Sequence, residues 1–163
     1  MKMVQTNSFT CEYLNNDITM KLTWQFKTFN DLSSEEMYAL LKLRSEVFVV
    51  EQNCIFLDMD DKDQDCFHLL GYKDDLLAAY TRIVPKGVAY EDYASIGRVV
   101  TSPKVRGVGR GKELMEESIT RLQQLYGEVP IKIGAQLYLK NFYESLGFLQ
   151  CGDVYDEDGI DHI

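Results

Sequence analysis

The chain has 163 residues, which suits one domain with a substantial core, and its 45% hydrophobic content argues against disorder. Seventeen Lys and Arg against 26 Asp and Glu leave a net charge of −9, a balance that repels nucleic acid and anionic lipid and suits a cationic partner. No apolar run approaches a membrane span, and the N-terminal residues lack the apolar centre of a secretory signal, so a cytoplasmic protein is expected.

Residues 1–20 show no clean period and are expected to form a loose extension ahead of a single domain over 21–163. In "KLTWQFKTF" the alternation of Leu22, Trp24 and Phe26 predicts a strand. "SSEEMYALLKLRSEVFVVEQ" follows, with Ser33 and Glu36 at capping-box spacing and Met37, Leu40, Leu41, Val47 and Phe48 on a helical stripe. Arg44 lies on that stripe, so it either snorkels past the core edge or points into a cleft. The run "DMDDKDQD" from Asp58 to Asp65 fails as a calcium loop, because the obligatory Gly falls on Cys66 and the bidentate Glu on Tyr72. It reads either as a solvated loop or as an acidic rim that attracts an amine. The cysteines at 11, 54, 66 and 151 form no C-x-x-C, and His68 and His162 are not spaced for zinc, so free thiols and no metal are expected.

"FHLLGY" and "LLAAYTRIV" predict a hairpin, and "ASIGRVVT" the next antiparallel strand. "GRGKELMEESITRLQQLY" predicts a long amphipathic helix with Leu114, Met115, Ile119, Leu122 and Leu125 on one face and Gly127 at its end. "VPIKIGAQ" reads as a short buried strand and "LYLKNFYESLGF" as a second helix closed by Gly147. The tail suggests a last hairpin around Asp158 and Gly159. One α/β domain is the economical reading.

Between strand and helix stands "KVRGVGRGKELM". A strand, a glycine-rich turn and a helix aim free backbone N–H groups and the positive end of a helix dipole at one point, a generic anion site. Gly107, Gly109 and Gly111 permit close approach and positive φ, and Arg106 and Arg110 can add charge-assisted hydrogen bonds. The stretch fits neither the P-loop, which needs Gly at Arg106 and Ser or Thr at Glu113, nor the dinucleotide fingerprint, which fails in both registers.

Arg106-x-x-Gly109-x-Gly111 instead resembles the R/Q-x-x-G-x-G/A signature of the GNAT superfamily of N-acetyltransferases. Upstream, "GRVVTSP" resembles that family's bulged and splayed fourth strand; downstream, "NFYESLGF" resembles its second motif. "LLKLRSEVFVVEQNCIFLDMDDKD" together with the terminal "GIDHI" looks like the ElaA-type subgroup. The resemblance implies a mixed, mostly antiparallel sheet, splayed at its fourth and fifth strands, with helices on both faces. It also implies acetyl-CoA as cosubstrate and a small or peptide amine as acceptor, and it leaves a homodimer open. Arg110 departs from the pattern, standing where the family often has an apolar residue.

By that resemblance the backbone of Val99, Val100 and Thr101 binds the pantetheine arm and polarises the thioester carbonyl, while the amides of Arg106, Gly107, Val108, Gly109, Arg110 and Gly111 hold the pyrophosphate. Tyr143 takes the position of the donor to the leaving thiolate, and Asn141 either contacts the coenzyme or caps a helix start. The attacking amine must be neutral, and Glu51, Glu46, His68 or a held water could take its proton. Arg44 and His68 are candidates for the acceptor site, and His162 reaches it only if the tail folds back. A coenzyme-binding regulatory module without turnover and a phosphate or nucleotide binder unrelated to acetyl transfer are the competing readings.

Overall fold

A computed structural model describes residues 21–163; the expected extension at 1–20 lies outside the described residues. The chain runs β1 (Thr23–Thr28), α1 (Ser34–Arg44), β2 (Phe67–Lys73), β3 (Leu76–Val84), β4 (Ser95–Thr101), α2 (Arg110–Tyr126), α3 (Lys140–Glu144), β5 (Tyr155–Glu157) and β6 (Ile160–His162). β1 to β4 form one antiparallel sheet in sequence order, and β5 and β6 form a separate hairpin. The hairpin turns at Asp158 and Gly159, both with positive φ, as the sequence suggests.

Strand alternation feeds two cores. Leu40, Leu43 and Val47 pack with Leu70, Leu77, Tyr80 and Val100. Leu114 packs with Leu69 and Ala79, while Met115 and Leu122 pack with Ile83 and Ile96. Adjacent residues Leu69 and Leu70 thus serve different cores, and so do Ala79 and Tyr80, which places α1 and α2 on opposite faces. Truncating Leu40 or Leu114 to Ala would cost about 2–5 kcal/mol. Leu125, expected on the apolar face of α2, is instead exposed near the helix end.

At the outer strand, the ring of Trp24 lies across its cross-strand partner Gly71, where an added Cβ would sit 2.4 Å from the ring. Only glycine leaves room for that close approach.

Ser33 accepts a hydrogen bond from the Glu36 N–H while the Glu36 side chain accepts from the Ser33 N–H, the capping box expected. The long helix read from the sequence does not continue as one type. After Arg44 it becomes π-helical over Ser45–Glu51, with N–H groups reaching five residues back, as from Gln52 to Val47 and from Cys54 to Val49. Such segments are concentrated at functional sites.

The strand expected over "VPIKIGAQ" is not regular. Ile131 makes a single parallel bridge to Ala94, and the Lys132 N–H donates to the Ala94 carbonyl. Ladder pairing with β4 goes no further, so the two segments part and leave a wedge-shaped opening. Ala135 and Ile163 exchange both backbone hydrogen bonds, which carries the terminal hairpin against the far side of that opening. "LYLKNFYESLGF" forms a 3-10 turn over Leu137–Leu139 and the short α3, with Gly147 at positive φ beyond it.

Candidate active site

The glycine turn has the geometry its sequence predicts. Gly107 and Gly109 have φ of 87° and 80°, and a Cβ built on either would meet nothing within 4 Å. Gly109 is the N-cap of α2 and has no side chain to cap the first turn; its carbonyl accepts from the N–H groups of Lys112 and Glu113, and the helix start opens onto free space. Val108 is half exposed. The turn is a concave set of donors at the positive end of a 17-residue helix, suited to an anion. The side chain of Arg110 does not join it: it is buried and pairs with Glu113 at 2.7 Å, so only its backbone belongs to the turn. Arg106 is exposed, donates from Nε to the Thr101 carbonyl at 3.2 Å, and pairs with Glu51.

β4 leads from this turn into the opening. Tyr80 pairs with Val100 and Arg82 with Gly97, so Arg98 and Val99 together stand opposite Thr81. That bulge, with Arg98 at φ 53°, bends the strand where the sheet opens. The resulting cleft, about 160 Å³, is walled by Phe48 and Gln52 on one side, Gly97 to Val99 on another, and Gly134 to Gln136, Leu139 and Tyr143 opposite; the terminal hairpin closes it with Ile160 and His162. Gln52 and Gln136 reach across it and exchange amide hydrogen bonds.

Tyr143 is 8% exposed and also borders a larger cavity of about 410 Å³ beyond Ala135. Phe142 and Phe148 meet its ring edge-on at 5.0 and 5.9 Å and fix its plane. Burial pushes its phenol up to about 12, so it is protonated, and able to donate, throughout the neutral range. Asn141 is exposed on the second residue of α3, whose N-cap is Leu139, so it does not cap the helix.

Residues 30–163 match the family model described as an acetyltransferase (GNAT) domain. The chain belongs to the GNAT acetyltransferase family. It is 43% identical to Protein ElaA of Escherichia coli over 144 residues, 87% of this chain and 94% of that protein. It is 41% identical to the UPF0039 protein sll0451 of Synechocystis over 145 residues, 88% of this chain and 94% of that one. The crystal structure of an acyl-CoA N-acyltransferase from Pseudomonas aeruginosa superposes with a TM-score of 0.82 at 41% identity, covering 86% of this chain and 95% of that one. That of E. coli ElaA superposes with a TM-score of 0.80 at 40% identity, covering 86% and 96%. The chain is thus an acyltransferase of the GNAT family, close to ElaA, and its antiparallel sheet with flanking helices matches these neighbours.

Within this GNAT frame two expected acceptor-site residues are misplaced. Arg44 does not face a cleft. It is fully buried, with Nε on Asp58 at 2.7 Å and Nη1 on Asp63 at 2.9 Å. Asp58 also pairs with Arg98 at 2.7 Å, Arg98 reaches Asp60 at 3.5 Å, Asp60 pairs with Arg82 at 2.6 Å, and Arg82 returns to Asp63 at 2.9 Å. Three arginines and three aspartates close a ring of zero net charge. The acidic run is therefore neither a solvated loop nor an attracting rim: Asp58 and Asp63 are buried and Asp60 is paired, while Asp61 and Asp65 remain on the surface. Burial opposes ionisation of Asp63, but Arg44 and Arg82 outweigh it and hold its carboxyl below the usual range; Asp60 is held lower still, by Arg82 and Arg98 against the same burial. His68 is likewise fully buried, bonded through Nδ1 to the Tyr80 hydroxyl at 2.8 Å and through Nε2 to the Asp63 carbonyl at 3.1 Å. Burial holds its imidazole below its ordinary value, and both nitrogens are occupied. It is a structural post under the loop.

Glu51 closes the π-helical segment, as its position suggests, but its carboxylate is engaged by Arg106, a hydrogen bond that lowers its pKa and weakens it as a base. Glu46 is exposed and does not border the cleft. The sequence reading missed Arg82 and Arg98, whose partners lie 19 to 40 residues away, and gave His162 only a conditional place. The tail does fold back, and the "GIDHI" ending was the available signal. Among the described residues Cys54, Cys66 and Cys151 are free thiols, no cluster suited to a metal occurs, and no helix is long and apolar enough to cross a membrane.

Proposed function

We propose that the chain is an acetyl-CoA-dependent N-acetyltransferase that passes the acetyl group to a primary amine by direct attack in a ternary complex. The observation that carries this reading is the order of parts along one chain segment: the bulged strand β4, whose Gly97 to Val99 share a cleft with the fixed, hydroxyl-bearing ring of Tyr143, runs directly into the open glycine turn. The amides of residues 106–111 hold the pyrophosphate. The backbone of Val99 to Thr101 then lies along the pantetheine arm, and N–H groups on the parted edge of β4 stabilise the oxyanion as the amine adds to the thioester carbonyl. Side-by-side binding removes most of the entropy cost of a bimolecular encounter, up to roughly 7–11 kcal/mol in well-oriented systems. When the C–S bond breaks, Tyr143 supplies the proton to the leaving thiolate. Asn141, exposed at the start of α3, contacts the coenzyme arm in this reading.

The test is a screen of amines with acetyl-CoA and the purified protein, read by mass, followed by kinetics of Tyr143→Phe. The variant should bind CoA with near wild-type affinity, because the ring packing remains, while turnover falls about 10²–10⁴-fold if proton donation limits the rate. Wild-type turnover in the variant would remove Tyr143 as an essential acid. Absence of acetylated product across the screen, with CoA still bound, would favour a coenzyme-binding regulatory module.

A further inference from the structure

Glu51, Glu46 and His68 do not stand at the cleft: Glu51 pairs with Arg106 and, like Glu46, is not among the residues that wall the cleft, and His68 is buried with both nitrogens bonded. The terminal hairpin brings another group. Ile160 and His162 alternate with Asp161 along β6, so both line the cleft while Asp161 points the other way. His162 bridges to Gln136, and the next residue is held by paired backbone bonds to Ala135, so the imidazole is carried by backbone and not by a loose tail.

Its tautomer follows from its partner. Nδ1 lies 2.8 Å from the carbonyl oxygen of Ile160. A carbonyl only accepts, so Nδ1 carries the proton and Nε2 presents a lone pair. From the geometry we infer that His162, through Nε2, is the general base that takes the proton from the acceptor amine. This inference rests on the acetyl-transfer reading above. The bound ammonium loses a proton to Nε2; the freed nitrogen lone pair forms the C–N bond to the thioester carbonyl; the C–S bond breaks, and the thiolate takes its proton from Tyr143; the nitrogen then gives up its second proton, which restores the Tyr143 hydroxyl, and His162 releases the first to solvent. Net, ammonium and thioester become amide, thiol and one proton.

The other ionisable groups around the imidazole are Arg98 from β4, Tyr143 from α3, Cys54 from the loop after the π-helical segment, Glu157 and Asp158 from the hairpin, and Tyr155, whose ring lies 5.8 Å away across the β5–β6 pair. The two carboxylates favour a cationic acceptor at this end of the cleft, but a carboxylate is ordinarily a far weaker base near neutrality than an imidazole. Phe48, Phe56, Leu139 and Ile160 supply an apolar wall. The acceptor class this describes is an alkylamine with an apolar body.

The experiment compares wild type with His162→Gln and His162→Ala, using acetyl-CoA and an alkylamine whose own ionisation lies well above neutrality. Wild-type kcat/KM should show an acid limb. His162→Gln should lose that acid limb and turn over about 10²–10⁴-fold more slowly, with acetyl-CoA affinity retained by calorimetry. Free imidazole should restore part of the rate to His162→Ala. Nitrogen NMR of the wild-type imidazole should show the Nδ1–H tautomer. An acid limb that survives in His162→Gln, or an Nε2–H tautomer, overturns the base role while leaving acetyl transfer intact. A wild-type protein that acetylates no amine overturns the transfer reading itself, and the base role with it.

Discussion

The glycine turn at residues 106–111 and the acidic loop at 58–65 both concentrate charge within a few positions, yet the protein treats them oppositely. In the turn, two glycines at positive φ and a helix N-terminus keep backbone donors facing open space, and the one exposed guanidinium, that of Arg106, is held by a surface carboxylate. In the loop, three carboxylates are each engaged by arginines from α1, β3 and β4, and two of the aspartates are buried. Charge left with unspent hydrogen-bonding capacity marks a place for a ligand. Charge closed on itself marks a joint, here one that fixes the loop beside the bulged strand.

Breaking the joint should produce the largest effect. Asp63→Ala leaves Arg44 and Arg82 buried without the one carboxylate they share, and should destabilise the fold by about 3–5 kcal/mol in urea or thermal unfolding. A loss below about 1 kcal/mol would mean the ring is ornamental. Its acids also set a pH dependence. Asp60 and Asp63 have folded-state pKa values depressed below the unfolded value of roughly 4, so their contribution is present above that value and is lost as pH falls through the lower, folded values. Unfolding free energy should therefore decline on acidification below about pH 4, and Asp63→Ala should decline less steeply.

At the turn, Gly109→Asp should leave a folded domain, since a Cβ there meets nothing within 4 Å and Asp tolerates positive φ at a cost of about 1–2 kcal/mol. It places a negative charge where phosphate would sit, so CoA binding by calorimetry should be lost. Retained affinity would detach the coenzyme from this turn. The smallest effect is expected from the part of the acidic run outside the ring: Asp61→Asn, on an exposed residue, should change stability by no more than about 0.5 kcal/mol. A larger loss would show that the ring extends further than its six members.

Most of the sheet was legible because its signals are local. The alternation of β1, the hairpin of β2 and β3, the capping box at Ser33 and Glu36, and the period of α2 each lie within one element, and the structure has them where the pattern predicts. The glycine turn was legible for the same reason. What the sequence concealed depends on distant partners. Arg44 looks the same on a helix stripe whether it meets solvent or Asp58 and Asp63, 14 and 19 residues on. The segment at 131–135 has a strand's composition, but it parts from β4 after one bridge, because the opening of the sheet is a property of two segments together. The change from α to π winding after Arg44 has no marker in residue type, and the place of His162 depends on backbone bonds that the following residue makes to Ala135.

The contact of Trp24 with Gly71 has a practical side. This is the chain's only tryptophan, and it stands on the sheet's outer strand, with β2 and β3 between it and β4. Its fluorescence is therefore an optical gauge of whether that edge is docked, and it does not border the cleft. Emission followed through urea reads the integrity of the fold, while coenzyme titrations need another signal. Damage to the scaffold and damage to the site can thus be recorded in one cuvette as two separate quantities.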